Sequence, residues 1–505
     1  MPDNLSSIMK KIQYHLLALC LLLQMFSINA QVSWQAPYRI DYFDQIDYSK
    51  NLVYTFNTSK DAQSFELNLY NLKGAHLNMI EVPKKNSLKI RSCAAVGNNT
   101  VFYFIDGNTG ILLSVDKDGK EIASTEFEDK QSFSYDTYIQ DCDGASFYLS
   151  RSFKGDKMGH TTEKYDLKCT KQWDYTLTPE KGKNQLMLAN GSKNGVVLMS
   201  RYLKNAFAVE GPISMIFLDA DGKVVSNTVL TPPPFFNPYM LKVLSDGSAF
   251  VVADYGKPAS TIYPLIPQGT NYMKIKTDGS VVTNVLLENK TLNDKFGLKK
   301  EDGTPMYLEH PGVRIIDIKE NGSEIVMVGE SYLLKQYEIT TPAGTNTMAS
   351  TSINADLTLG DLYVLTAGDL ELEKAKSIWK PKKMYQMKGF FKGSIDYVYE
   401  EMMNIHAMTF QGFKGNDLIL RNFNHGFQYV NIVKDGETVD NAVTRVYFGK
   451  AIGSSGSNMT YVPIESDYTG KAGQIYREGV MVTEQGILLY QYNNVTSNLQ
   501  FSFIN

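Results

Sequence analysis

Leu241-Lys-Val-Leu-Ser-Asp-Gly-Ser-Ala-Phe-Val-Val-Ala253, resumed at Tyr272-Met-Lys-Ile-Lys-Thr-Asp-Gly-Ser-Val-Val-Thr-Asn-Val-Leu-Leu287, spells out one complete unit of the chain. Leu241 to Leu244 is apolar at alternate positions, as a half-buried strand is. Ser245-Asp-Gly247 turns the chain, because Asp bonds its own backbone and Gly tolerates positive φ. Ala249 to Ala253 is apolar throughout, the pattern of a strand covered on both faces. Tyr272 to Lys276 alternates, Thr277-Asp-Gly279 turns, and Val281 to Leu287 supplies a fourth strand. The prediction is a four-stranded antiparallel meander.

The same phrase recurs in both directions from this unit. Leu113-Ser-Val-Asp-Lys-Asp-Gly119, Phe217-Leu-Asp-Ala-Asp-Gly222 and Ile432-Val-Lys-Asp-Gly436 are further copies. Turns near Lys73, Asp118, Cys169, Asp221 and Asp278 follow one another at intervals of 45 to 57 residues, and wider intervals lead to turns near Gly368, Asp435 and Asn494. Middle strands are expected at Val101–Ile105 with Ile111–Val115 and at Val196–Met199 with Ser214–Leu218. Others are expected at Ile325–Val328 with Leu362–Leu365 and at Leu418–Leu420 with Tyr429–Val433. Self-similarity at this period marks propellers and solenoids. A four-stranded sheet cannot bury both faces alone, and radial packing of such sheets solves the problem. No capping units stand at the ends. Instead Val32 to Tyr38 can complete a sheet formed by Val480–Val482, Leu488–Gln491 and Leu499–Phe503. The expected fold is all-β, a β-propeller of four-stranded antiparallel blades. The count is eight, which we prefer, or seven if the irregular last units merge. Ile395 to Met403 is the one stretch with helical spacing.

The 505-residue chain opens with Lys10 and Lys11, then the apolar run Leu16–Leu23, then small and polar residues to Ala30. That order is expected of a secretory signal peptide over 1–30, cleaved after Ala30, with Met9 as a candidate start. The run is shorter than the ~20 apolar residues a spanning helix needs. Cys20 raises a lipoprotein reading, but bulky Leu19 precedes it. Residues 31–505 are expected to form a single propeller domain with no transmembrane segment. The formal charge of −4 becomes −5 once Lys10, Lys11 and Asp3 are removed. No concentrated basic face is present, so nucleic acid is not an expected partner. Cys93, Cys142 and Cys169 have no C-x-x-C spacing, and buried apolar cysteines are expected ahead of a single disulfide.

In a meander the turns between strands 1–2 and 3–4 share one end of the sheet. The Asp-Gly turns occupy that end. The long segments 231–237, 256–271, 289–311, 336–359, 380–404 and 453–477 fall at the other end, and inserts gathered on one face mark a binding face. These segments are rich in proline and aromatic residues, notably Thr231-Pro-Pro-Pro-Phe-Phe-Asn-Pro-Tyr239 and Tyr255 to Pro267. Proline stiffens such loops and lowers the ordering cost of binding. Phe235, Phe236, Tyr239, Tyr255, Tyr263, Trp379, Lys383, His310 and His406 are the candidate ligand-binding residues. The aromatics among them can stack on sugars or fill peptide pockets, or they can form small cores that hold the loops. Asp254, Asp317 and Glu330, in or beside middle strands, are the candidate acids should the protein cleave glycans.

The other motifs resolve to structure. Asp219-Ala-Asp-Gly222 lacks the further ligands and the closing glutamate of an EF-hand loop, so no metal is expected. The histidines His15, His76, His160, His310, His406 and His425 have no zinc spacing. Gly453-Ser-Ser-Gly-Ser457 is not a nucleophile elbow, and no phosphate loop or dinucleotide fingerprint is present, so no cofactor is expected. Ser114-Val-Asp-Lys-Asp-Gly119 resembles the Asp-box of sialidase-like propellers but lacks the aromatic after its glycine.

The leader ending in Asn-Ala-Gln31, the Asp-Gly hairpins and the aromatic strands together resemble exported β-propeller proteins of unknown function from Bacteroidota-type Gram-negative bacteria. The resemblance is one of architecture and transfers no functional residues. It implies a periplasmic, extracellular or outer-membrane-peripheral location. The leading expectation is a protein that binds a glycan, peptide or protein partner on the insert-bearing face. The alternatives are a glycan-active hydrolase or lyase with a site at the propeller axis, and a scaffold for an outer-membrane assembly.

Overall fold

The computed structural model describes residues 29–35, 45–58, 63–83, 88–129, 137–153, 158–204, 211–234, 236–257, 266–296, 312–322, 324–341, 350–367, 372–378, 383–387, 409–415, 417–424, 427–433, 444–448, 459–462, 476–483, 486–493 and 498–504. These form eight sheets built from consecutive antiparallel strands. Blade 1 spans Gln45–Tyr48 to His76–Pro83, blade 2 Lys89–Val96 to Glu121–Glu128, and blade 3 Thr137–Asp141 to Lys171–Leu177. Blade 4 spans Lys183–Ser192 to Val224–Val229, and blade 5 Asn237–Val243 to Val281–Glu288. Blade 6 runs from Gly312–Asn321 through Glu324–Thr341 and Ser350–Ala367 to Leu372–Ile378, with Lys383–Met387 added on Ser350–Ala367. Blade 7 runs from Thr409–Lys414 to Thr444–Phe448 and gains a parallel fifth strand, Met459–Val462. Blade 8 is made of Tyr476–Thr483, Gly486–Asn493 and Asn498–Ile504, and Asn29–Gln35 completes it. This closure pairs Val32 with Phe501 and Trp34 with Leu499, as the apolar alternation predicts. The fold is a β-propeller, and its blades number eight among the described residues.

The chain divides into two compact units, one of Met1–Pro83 with Gln411–Asn505 and one of Lys84–Phe410. In the first, blades 1 and 8 share a core of Val53, Tyr70, Leu72, Leu488, Leu499 and Phe501. In the second, each pair of neighbouring blades shares a core. Tyr103, Phe147 and Tyr165 fill the space between blades 2 and 3, and Tyr148, Leu198 and Ile216 that between blades 3 and 4. Met199, Phe217 and Val251 join blade 4 to blade 5, and Phe250, Tyr272, Ile315 and Tyr363 join blade 5 to blade 6.

The Asp-Gly phrase explains a recurring irregularity. In the turn after strand 3, Asp116, Asp166 and Asp219 each accept backbone amides on the carboxylate: Asp118 and Lys120 donate to Asp116 Oδ1, Thr170 to Asp166, and Asp221 and Lys223 to Asp219. The carboxylates are thereby turn acceptors, and no acid or histidine cluster suited to a metal exists among the described residues. Gly119, Gly222 and Gly279 stand at positive φ, and the strand register slips by one residue just beyond the turn in blades 1 to 6. A turn closed by a left-handed glycine followed by a bulge is a standard hairpin solution, and the bulge increases strand twist. In blade 3 Cys169 holds this position with φ 57°, the one non-glycine residue at positive φ among those described.

These turns also dock. Trp173, on the outer strand of blade 3, covers Gly222 in the turn of blade 4, and its Nε1 donates to Ala220 O at 2.9 Å. Thr228 on the outer strand of blade 4 lies against Gly279 of blade 5, where Ser226 Oγ donates to Thr277 O at 2.7 Å. Cys169 Sγ points to Ala123 O of blade 2 at 3.8 Å. Cys142 and Cys169 are buried and form no disulfide, and burial pushes the Cys169 thiol up to about 12.

The connections differ in length between the two ends of the blades. Connections between strands 1–2 and 3–4 have two to five residues, except the longer one from Val433 to Thr444 in blade 7. The long connections lie at the other end, although Asp106 to Thr109 and Asn424 to Phe427 are short there too. Two predicted loops contain strand. Residues 256–271 include the ends of Ala249–Lys257 and Ile266–Ile275, and 336–341 and 350–359 are paired strands of a hairpin arm. Segment 289–311 opens with an unpredicted helix, Asn289–Phe296, whose Leu292 enters the core between blades 5 and 6. The helix expected at 395–403 lies outside the described residues.

Gly222 and Gly322 separate two roles of turn glycine. A Cβ at Gly222 (φ +81°) would meet the Trp173 ring at 2.7 Å, whereas one at Gly322 (φ +64°) would meet nothing within 4 Å. Gly322→Ala should lose about 1 kcal/mol from backbone strain alone. Gly222→Ala should lose about 2–4 kcal/mol, because steric overlap adds to the strain. Urea denaturation of the two variants reads the difference.

Candidate functional site

The long-connection end of blades 5 and 6 carries a buried charged cluster. Asp254 ends the apolar run Phe250–Ala253 on the second strand of blade 5, and Arg314 sits in the apolar run opening blade 6. Arg314 Nη1 donates to Asp254 Oδ2 at 2.7 Å, and the two side chains are 8% and 2% exposed. The guanidinium lies 3.3 Å from the centroid of the Tyr239 ring. The Ile315 amide donates to Tyr239 Oη at 3.1 Å, and Thr270, paired with Asp254 in register, donates from Oγ1 to Val313 O at 3.1 Å. Glu330 is directly opposite Arg314 in the sheet, so its fully buried side chain shares that face.

This cluster marks the root of the arm. The register of Glu324–Thr341 against Ser350–Ala367 slips between Glu330 and Tyr332, next to Arg314. Beyond that bulge ten consecutive pairs, Tyr332↔Leu359 to Thr341↔Ser350, carry the hairpin onward. At ~3.3 Å per residue that is roughly 30 Å of ladder. Lys383–Met387 pairs with Ala355–Leu359 and widens the first part of this ladder to three strands. Gly312 permits the close approach at the root, since a Cβ there would lie 2.7 Å from the Tyr332 ring.

The predicted site residues divide accordingly. Phe236 and Tyr255 are buried: Phe236 packs in the core between blades 4 and 5, and Tyr255 Oη lies by Gly269. Tyr239 is covered by Arg314. These three build the walls of the loops instead of standing open as stacking platforms, which corrects one of the two expectations for them. Lys383 begins the strand that joins the arm. Phe235, Tyr263, His310, Trp379 and His406 lie outside the described residues. Of the candidate acids, Asp254 and Glu330 flank Arg314, while Asp317 stands further along, opposite Val328. Burial raises the Asp317 carboxyl, and the Ile318 amide donates to it at 2.7 Å. Sequence reasoning missed Arg314, although a lone arginine in Val313-Arg-Ile-Ile316 was a usable signal.

A second cluster of the same design joins blades 2 and 3. Arg151 pairs with Glu163 and with Asp129, whose Oδ2 lies 3.1 Å from Arg151 Nε. Tyr103 donates to Asp129, Tyr165 donates to Glu163 at 3.0 Å, and Phe127 lies beneath the guanidinium at 4.9 Å. In both clusters an acid of one blade holds an arginine of the next. Between blades 3 and 4, His160 Nε2 is 3.1 Å from Ser200 Oγ. This spacing suits a nucleophile–base pair, but both residues are buried, and Nδ1 has no partner to orient the ring. Burial drives the His160 pKa down from 6.5 to about 4, so the ring is neutral.

No family model matches the chain, and no curated protein sequence matches it. Among solved structures it is similar to the Dos1 propeller, at 13% identity and a TM-score of 0.38 over 79% of this chain and 81% of that one. It is also similar to the β-propeller domain of the Trilobed protease from Pyrococcus furiosus, at 11% identity and 0.38 over 78% and 93% of the two chains. A prolyl endopeptidase gives 12% identity and 0.33, over 81% of this chain and 54% of that one. The propeller assignment stands on the chain's own strand order.

Two stability measurements test these buried groups. Asp254→Ala leaves the Arg314 charge without its carboxylate and should lose about 3 kcal/mol, whereas Asp254→Leu combined with Arg314→Met should lose less. For His160, the folded pKa lies below the unfolded one, so the unfolded state binds more protons between them. Its contribution is complete above pH 6.5 and is lost as pH falls toward 4, about 3 kcal/mol in all. In His160→Gln that part of the pH dependence of the urea midpoint should vanish.

Proposed function

We propose that the protein is exported and binds a glycan, peptide or protein partner at the long-connection end of its blades. The observation that carries this reading is the contrast between the blade ends in the Lys84–Phe410 unit. One end is closed by short turns whose polar groups bond one another and the preceding blade. The other projects the blade 6 arm from a root held by Asp254, Arg314 and Tyr239. A rigid root presents an extended element with little ordering cost, which favours binding. The glycan-hydrolase reading draws no support from Asp254, whose carboxylate is buried and engaged by Arg314.

Export is supported by the order of basic start, apolar run and small residues ending at Ala30. Cleavage there would leave Val32 to Gln35 paired with Phe501 to Asn498, so blade closure is compatible with loss of the leader.

Glycan arrays and pull-downs from cell-envelope extracts test the proposed face. A variant with residues 334–357 replaced by an Asn-Gly turn keeps the whole blade portion of the hairpin. Binding should weaken at least about tenfold, or 1.4 kcal/mol, with the melting temperature nearly unchanged. Undiminished binding would reject this face.

A further inference from the structure

Asn-Gly dipeptides occur at three places in the chain, Asn190-Gly191, Asn194-Gly195 and Asn321-Gly322. Asparagine is a thermolabile residue. Its side-chain carbonyl carbon can be attacked by the backbone nitrogen of the following residue, and a glycine there has no side chain to obstruct the approach. The attack needs a carboxamide free to turn, a backbone free to leave the extended conformation, and a glycine nitrogen free to move. The fold grants these freedoms unequally to the three sites.

Asn190 has none of them. It lies inside the first strand of blade 4, where Asn190 pairs with Val197 and Gly191 with Val196. Its Oδ1 accepts the Val243 amide of blade 5 at 2.8 Å. Gly191 is packed on blade 3, and a Cβ there would meet the Tyr148 ring at 2.7 Å. Asn194 is exposed in the hairpin turn that follows, but Gly195 is buried. Gly195 pairs with Ser192 on one side and Asp219 on the other, and a Cβ there would lie 1.9 Å from Leu218 O. The attacking nitrogen at this site is thus held in the ladder. Asn321 is exposed at the end of the first strand of blade 6, and its rung with Glu324 is the last. Gly322 is exposed in the turn at φ +64°, with nothing within 4 Å of the position of a Cβ. Fraying of one terminal rung, an opening of low cost, frees the backbone there.

We propose that Asn321 is a site of spontaneous deamidation, the fastest of the three. The Gly322 nitrogen bonds to the side-chain carbonyl carbon of Asn321. The bond from that carbon to the side-chain nitrogen breaks, and the nitrogen leaves as ammonia, taking the proton of the Gly322 amide. A cyclic imide remains, and water opens it at either carbonyl to give aspartate or isoaspartate. The position gives the change a consequence. Glu320 accepts the Ser245 amide at 3.0 Å and Ser245 Oγ at 2.9 Å, which ties the turn of blade 6 to that of blade 5. A new carboxylate beside Glu320 repels it, and isoaspartate also adds a methylene to the backbone next to this tie. Deamidation loosens the short-turn end of the seam between blades 5 and 6, whatever the arm at the opposite end binds.

Peptide mapping by mass spectrometry tests the proposal on the full folded chain, aged at mildly alkaline pH and sampled over time. The peptide holding Asn321 should acquire the mass of the acid about tenfold faster than the peptides holding Asn190 and Asn194. In urea, where the fold no longer restrains any of them, the three sites should react at similar rates. Asn321→Asp, which installs the acid at once, should lower the urea midpoint of the folded chain relative to Asn321→Gln. An Asn321 that stays unmodified, or a change at Asn190 or Asn194 as fast as at Asn321 in the folded chain, would overturn the assignment of the site. Equal midpoints for the two variants would overturn its link to the seam.

Discussion

The lodging of one blade's turn on the outer strand of the blade before it is the contact on which the rest depends. A four-stranded sheet has two apolar faces and no means of covering them alone. Trp173 over Gly222, Thr228 on Gly279 and Cys169 at Ala123 set how closely successive sheets approach at their periphery. At the inner side, Tyr138 donates to Met187 O at 2.7 Å, and the Val243 amide donates to Asn190 Oδ1 at 2.8 Å. Between these two lines of bonds the aromatic cores of neighbouring blades close. The glycine is required twice over, for its positive φ and for the space its missing Cβ leaves to the neighbour.

Much of this was legible because it is local. Alternation with a period of two fixes strand faces, and Asp-Gly chemistry fixes turns, so the meander of blade 5 and the closing strand Asn29–Gln35 could be read directly. What was not legible depends on partners distant in sequence. Arg314 finds Asp254 sixty residues away in another blade, and nothing next to either residue announces the pair. The arm was read as a loop although Gln336-Tyr-Glu-Ile-Thr340 and Ile353-Asn-Ala-Asp-Leu-Thr-Leu359 alternate polar and apolar residues, a signal that was passed over, and its order comes from the pairing of residues 332–341 with 350–359. Phe236 and Tyr255 were read as candidate exposed aromatics because proline surrounds them, yet burial is decided by the blade they meet.

The charged clusters follow one rule at two sites. Arg151 with Asp129, and Arg314 with Asp254, each link an arginine to an acid of the preceding blade, over Phe127 and beside Tyr239 respectively. Apolar packing tolerates many relative positions of two sheets. A hydrogen-bonded ion pair tolerates few, because an unpaired charge there is costly. Beside the arm, such a pair converts a hairpin root into a fixed mounting.

The unit that contains the closing strand is discontinuous, since Met1–Pro83 and Gln411–Asn505 enclose the continuous run Lys84–Phe410. Blades 2 to 6 draw their contacts from one continuous run, whereas blade 1 depends on Leu499 and Phe501, the residues that cover Val53 and Tyr70. The clasp between Val32 and Phe501 therefore joins residues from opposite ends of the sequence, the kind of long-range contact that topology makes slow to form.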